Sequence, residues 1–210
     1  MRNLLLSSIL LLMVSCTVVN HYPNYQPYNK IISSDSIQYH FNRNFLSVRY
    51  KAEITILDNY ITGILLINKT GENQYRINLV NEFGVKFLDF LFEENEMKVI
   101  YCNELINRNI IIRTLQNDFS LLLAQQALFS NTESSFYTYQ NMKLQKLKLK
   151  NTYIHHFINA QNELTKSERY KKNKLMVEIN FNLDSLKNQY ITISHKNFNL
   201  SMNLNLIKKE

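Results

Sequence analysis

Few residues in this chain have the types and spacing for chemistry. Tyr153-Ile154-His155-His156 sets two imidazoles side by side and is the most inviting start to a metal site. On a strand, neighbouring side chains point to opposite faces, so these two cannot grip one ion without a bulge. No third ligand stands at a useful spacing, and His195 is isolated in sequence. Asp89, set among Phe87, Leu88 and Phe90, reads as a buried carboxylate of the kind that hydrogen-bonds a neighbouring strand or sits at a rim. The sequence contains no nucleophile elbow, no phosphate-binding glycine loop and no zinc-protease helix. The expectation is a protein that is not an enzyme and that uses no metal and no cofactor. Two cysteines remain to be placed, Cys16 and Cys102.

Cys16 has the richer context. Arg2 is followed by an apolar run from Leu4 to Val14 that is too short to span a bilayer. Met13-Val14-Ser15-Cys16 ends that run and looks like a bacterial lipobox, with a small residue just before the cysteine. The likeness implies that residues 1–15 are a signal peptide and that Cys16 is lipidated on its thiol and its new amino group. The alternative is an ordinary secretory signal that happens to contain a cysteine. Several acyl chains on one residue exceed the marginal hold of a single myristoyl chain, so the anchor would be stable. With Cys16 lipidated, no disulfide can form within the chain, and Cys102 is most simply a small core residue.

Residues 16–35 read as a tether. Both prolines, Pro23 and Pro27, fall in it and keep it out of a sheet interior. Its tyrosines, Tyr22, Tyr25 and Tyr28, suit the headgroup level of a membrane. Thr17 follows the cysteine, so the aspartate that retains some lipoproteins at the inner membrane is missing. No acidic run follows either, unlike the surface-export signal of Bacteroidetes lipoproteins. By that analogy the chain is expected in the outer membrane, lipid-anchored and facing the periplasm.

Residues 36–210 suit one domain. They contain no proline and three glycines, Gly63, Gly71 and Gly84, with many aromatic and β-branched residues, which favours long strands joined by polar turns. Net charge is +7, from 24 basic and 17 acidic residues. Nucleic acid is excluded as a partner by the export signal, and the basic residues are spread out except at Lys143–Lys150 and Tyr170–Lys174. In the first cluster lysine alternates with leucine, which reads as a strand with one wet face or as a contact for lipid phosphates.

Strands are expected at 50–56, 60–68, 75–79, 85–92 and 97–101, then at 136–139, 144–150, 153–158, 175–181, 190–194 and 200–207. A helical region covers 103–128, with Ile106, Ile110 and Leu115 continuing through Phe119, Leu122 and Leu123. Gly63 marks a bulge or a close backbone approach. Roughly ten antiparallel strands with one helical insertion make a mainly β (α+β) fold, a strongly curved sheet around helices. Strands 60–68 and 85–92 are apolar on both faces, so both must be covered or one must line a cavity.

The stretch from Thr70 to Phe90 carries a resemblance. Thr70-Gly71 is a turn, Tyr75-Arg76-x-x-Leu79-x-Asn81 a strand, and Asn81-Glu82-Phe83-Gly84 a second turn with a large aromatic where tips are usually small and polar. This pattern resembles the corresponding segment of the LolB outer-membrane lipoprotein receptors and the wider LolA/LolB lipoprotein-carrier superfamily, over residues 60–92. The resemblance implies a half-barrel with a helical lid over an apolar cavity, formed by residues 36–210. It implies that Phe83, between Glu82 and Gly84, protrudes to help lipid-anchored cargo into the membrane. LolB carries leucine after proline there, whereas this chain has Phe83 after Glu82. Acylated lipoproteins or lipids would be the ligands and a soluble periplasmic LolA-like carrier the donor. Ile64, Leu66, Phe87 and Phe90 are the candidate cavity lining, although alternation allows only one of Phe87 and Phe90 to face inward. The competing reading is a scaffold lipoprotein that binds an outer-membrane or envelope protein through a sheet edge or the basic strand.

Overall fold

The fold is described from a computed structural model, over residues 21–28, 36–41, 45–93, 96–124, 133–183 and 188–210. Cys16 and the signal segment lie outside these residues. The strands are β1 (Gln26–Pro27), β2 (Ser47–Ile56), β3 (Asn59–Gly71), β4 (Gln74–Val80), β5 (Lys86–Glu93) and β6 (Glu96–Cys102). Helix α1 (Asn109–Leu122) follows. Then come β7 (Ser134–Tyr139), β8 (Met142–Leu149), β9 (Thr152–Ile158), β10 (Leu164–Lys171), β11 (Lys174–Leu183), β12 (Gln189–His195) and β13 (Leu200–Lys209). Among the described residues no helix is long and apolar enough to cross a membrane.

All thirteen strands form one antiparallel sheet in the order β1-β7-β8-β9-β10-β11-β12-β13-β2-β3-β4-β5-β6. The sheet curves, as the strand pattern implied, into the half-barrel that the resemblance implied, and does not close. Its count exceeds the expected ten or so for a physical reason. Strand β10, Leu-Thr-Lys-Ser-Glu-Arg-Tyr-Lys, looks like a polar loop in sequence, yet Ser167, Glu168, Arg169 and Tyr170 are all buried in it. The short β1 adds Pro27 at the sheet edge, where a missing N–H costs no ladder bond.

One face of the sheet is the core. Tyr50, Ala52, Ile54 and Ile56 of β2 point into it, as do Ile61, Leu65 and Ile67 of β3. Opposite them in register stand Met202 and Leu204 of β13, and Leu79 and Ile77 of β4. Leu88, Phe90 and Phe92 of β5 continue the row through their pairs Leu79, Ile77 and Tyr75. Helix α1 packs on this face. Phe119 lies 6.3 Å from the Phe90 ring and 6.5 Å from the Phe92 ring, edge-on to both. The helix is shorter than the expected span; residues 104–106 form a turn, and 125–128 lie outside the described residues. Its first turn leaves Ile110 exposed, while everything from Asp118 to Ala124 is buried, so the C-terminal end packs into the half-barrel.

Gly63 is a close approach. A Cβ there would meet the Val80 carbonyl oxygen at 2.2 Å and its carbon at 2.9 Å. Val80 ends β4, so Gly63→Ala pushes on backbone at the base of the following turn. The expected cost is about 1–3 kcal/mol of unfolding free energy, read by urea denaturation. A loss below roughly 0.5 kcal/mol would show that the backbone yields freely.

Candidate functional site

The β4–β5 turn is built to hold an aromatic in water. Asn81 Oδ1 accepts from the Phe83 N–H at 3.0 Å and from the Val85 N–H at 2.8 Å. The backbone closes the same loop, with Gly84 N–H donating to Asn81 O at 3.0 Å and Asn81 N–H to Val85 O at 2.9 Å. Gly84 sits at φ 77° with open space around it, so the turn needs glycine for its backbone and not for room. Glu82 is exposed, and Phe83 is 89% exposed. Just past the tip, Lys86 Nζ binds Asp89 Oδ2 at 2.8 Å, and Arg76 grips both Asp89 oxygens at 2.9 Å. The Arg76 bond, helped by Lys86 and Asn78, holds the Asp89 carboxyl down to about 2 against the opposing effect of burial. This knot lies on the outer face, under side chains that are themselves about half exposed, so solvent screens it. Its role is to fix the base of the loop.

The four candidate lining residues separate. Phe90 faces the interior and is fully buried. Ile64 and Leu66 do not line it: they alternate with the inward Leu65 and Ile67 and point to the outer face, with Ile64 40% exposed. Phe87 stands in a bulge, since Val80 pairs with Lys86 and Leu79 with Leu88, leaving Phe87 unmatched and half-buried. Both faces of β3 and β5 are apolar in sequence, so alternation alone could not choose between them.

The interior also holds polar groups that sequence reasoning missed. His156 faces inward, with Nδ1 2.8 Å from Ser167 Oγ. Asp118 of α1 meets His195 of β12, Oδ2 to Nε2, at 2.9 Å. Arg169 of β10 is 8% exposed, and its Nε and Nη1 have no hydrogen-bond partner among the described residues, nor has Asp118 Oδ1. Burial pushes the Asp118 carboxyl up, with His195 and Arg169 pulling the other way, and lowers Arg169 to about 10. These spare donors and the spare acceptor can hydrogen-bond a polar group that enters beside α1. His155 points to the opposite, outer face, as neighbours on a strand must. Among the described residues no three histidine, cysteine or acidic side chains gather to hold a metal.

On that outer face the segment 21–28 lies against the sheet, so Tyr22 and Tyr25 contact protein where the sequence suited them to headgroups. Tyr22 donates to Glu168 and sits 3.1 Å from the Tyr170 hydroxyl. Its ring packs edge-on to His155 and Phe157, and Tyr25 packs on Phe157 and Tyr139. Lys166 closes the patch through Glu168 at 2.7 Å and over the Phe157 ring at 4.1 Å.

No family model matches the chain, and no curated protein does. Among solved structures, the chain is similar to a LolA superfamily protein from Nitrosomonas europaea. The TM-score is 0.54 at 10% identity, over 84% of this chain and 89% of that one. At that identity the likeness concerns the fold, an open antiparallel half-barrel around a helix.

Proposed function

We propose that this protein binds the acyl chains of lipids or lipoproteins within its half-barrel and passes them to the membrane that holds it. In this reading Cys16 is the lipidated anchor, the membrane is the outer membrane, and the domain faces the periplasm. A soluble LolA-like carrier delivers the cargo, and the work requires no covalent chemistry. Phe83 is the observation that carries the reading. Leaving a phenylalanine in water forgoes roughly 1.5–3 kcal/mol, and this loop spends four hydrogen bonds on holding it there. Such a tip gains its burial by entering a bilayer. The mostly aliphatic inner wall, with a few unpaired polar groups beside α1, has the composition of a site for amphiphiles. Cargo then moves to wherever its acyl chains are better buried.

The test is transfer of a fluorescent triacylated lipopeptide from this protein to vesicles. Phe83→Glu is expected to slow transfer about 10- to 100-fold, from the forgone burial alone. Phe83→Leu should keep most of it, and both should melt as wild type does. Equal transfer rates for wild type and Phe83→Glu would refute the role of the tip.

The scaffold reading retains one observation of its own. Strand β6 ends the sheet among the described residues, with Val99, Ile100 and Tyr101 exposed by 42%, 54% and 43%. An envelope protein could add a strand there.

A further inference from the structure

The strand directions sort the turns into two ends of the half-barrel. β2, β4, β8, β10 and β12 all run toward one end, so the turns after them share one rim with Phe83. That rim carries Lys148 and Lys150 at the β8–β9 turn, Lys171, Lys172 and Lys174 at the β10–β11 turn, and Lys196 at the β12–β13 turn. All six are exposed, and among the described residues none makes an ion pair. Asp58, Glu82, Glu104 and Glu133 are acids near that rim, Glu133 beside Lys148. The opposite end carries Glu72, Glu93, Glu96, Glu163 and Glu210 together with Arg49, Lys69, Lys98, Lys208 and Lys209, of which Lys98 pairs with Glu93 and Lys208 with Glu210. The end that carries these six lysines is also the end that holds the exposed aromatic.

The N-terminal segment reports the same direction independently. His21 stacks on Tyr170, next to Lys171, with ring centroids 4.5 Å apart. Four residues on, Tyr25 has reached Tyr139 at the far end of β7. Read backwards, the described segment ends at the lysine rim. From His21 to Cys16 is five residues, a reach of at most about 17 Å.

We propose that this lysine rim is a second membrane contact, taking anionic phospholipid headgroups and seating the half-barrel with Phe83 toward the bilayer. The inference rests on the membrane-facing role of Phe83 and on Cys16 as anchor, and adds an electrostatic contact from a different set of residues. Basic residues close to an anionic surface each strengthen binding by roughly fivefold, and the attraction falls off within a Debye length. A rim that presents several of them in one plane can use them together. Phe83 alone sets no rotation about its own loop; a second contact across the rim does.

The experiment uses the chain from Thr17 to Glu210, which keeps every described residue and omits the anchor that would mask weaker binding. Sedimentation with phosphatidylglycerol vesicles is compared with phosphatidylcholine vesicles, for wild type, Lys172→Gln/Lys174→Gln on the rim, and Arg49→Gln/Lys208→Gln at the opposite end. The expected result is binding to phosphatidylglycerol that weakens about 25-fold in the rim variant, two fivefold steps, and less than threefold in the control. Added salt should weaken the wild type in parallel. Equal losses in the two variants, or equal binding to both lipids, would overturn the proposal. So would unchanged binding by the rim variant, which would leave the lysines to an acidic protein partner. Acyl binding inside the half-barrel is read separately by mass, so failure here and failure of the carrier function are told apart.

Discussion

Acidification should unfold this protein steeply, starting near pH 6.5. Two histidines are buried as neutral rings and a third, His40, is half-buried: burial, with Lys146, His21 and Lys166 nearby, lowers His155 to about 3. Burial, with His155 and Arg169, lowers His156 to about 3, and burial with Lys209 lowers His40 to about 4. In the unfolded chain each takes up a proton near 6.5, and in the folded chain only near 3 to 4. The stability they lend is therefore complete above about 6.5 and is lost as pH falls through that window. Each ring contributes a slope of about 1.4 kcal/mol per pH unit, so three set a ceiling near 4 kcal/mol per unit. Asp118 works in the opposite sense, since burial raises its carboxyl and acid relieves it. One carboxyl against three imidazoles leaves the net slope positive. Domains of this kind hold about 5–15 kcal/mol in all, so two to three pH units suffice to exhaust it. Urea unfolding across the window measures the slope, and His156→Gln should reduce it by about one proton. A flat profile between pH 6.5 and 4 would contradict the burial of these rings.

Phe119→Ala should cost about 3–5 kcal/mol. The ring is fully buried and stands edge-on between Phe90 and Phe92, where it joins the one described helix to the apolar wall of β5. The helix C-terminus is buried around it, so no neighbour can swing out to let the site collapse. For a domain of this length each kcal/mol moves the melting temperature by about 2–4 °C, which places the expected drop near 10 °C. Calorimetry reads it directly. A change under about 1 kcal/mol would mean that the helix is not seated where the structure has it. The Asp118–His195 contact also ties α1 to the sheet.

The strongest parts of the fold were legible because their patterns left no choice. Tyr75, Ile77 and Leu79 alternate with Arg76 and Asn78, and the structure puts the first three inward. Gly63, read as a bulge or close approach, is the close approach. Strand β3 shows where periodicity fails: Ile61, Ile64, Leu65, Leu66 and Ile67 give apolar residues on both faces, so register with β4 decides, and Ile64 and Leu66 turn out. Strand β10 fails for the opposite reason. Its inward Ser167 and Arg169 and outward Glu168 and Tyr170 are buried against partners on other segments, His156 across the hairpin and Tyr22 far away in sequence. A polar residue looks exposed until its partner is known. Asp118 and His195 lie 77 positions apart and carried no local signal at all.

The carrier account stands or falls on whether acyl chains enter the half-barrel, and native mass spectrometry of the chain from His21 onward, purified from a bacterial periplasm, tests that most directly. The account predicts a co-purifying adduct with the mass of a lipid or acylated peptide, and renewed uptake of added lipopeptide once it is stripped. A clean protein mass with no uptake of added lipopeptide would contradict it and favour a scaffold built around the β6 edge.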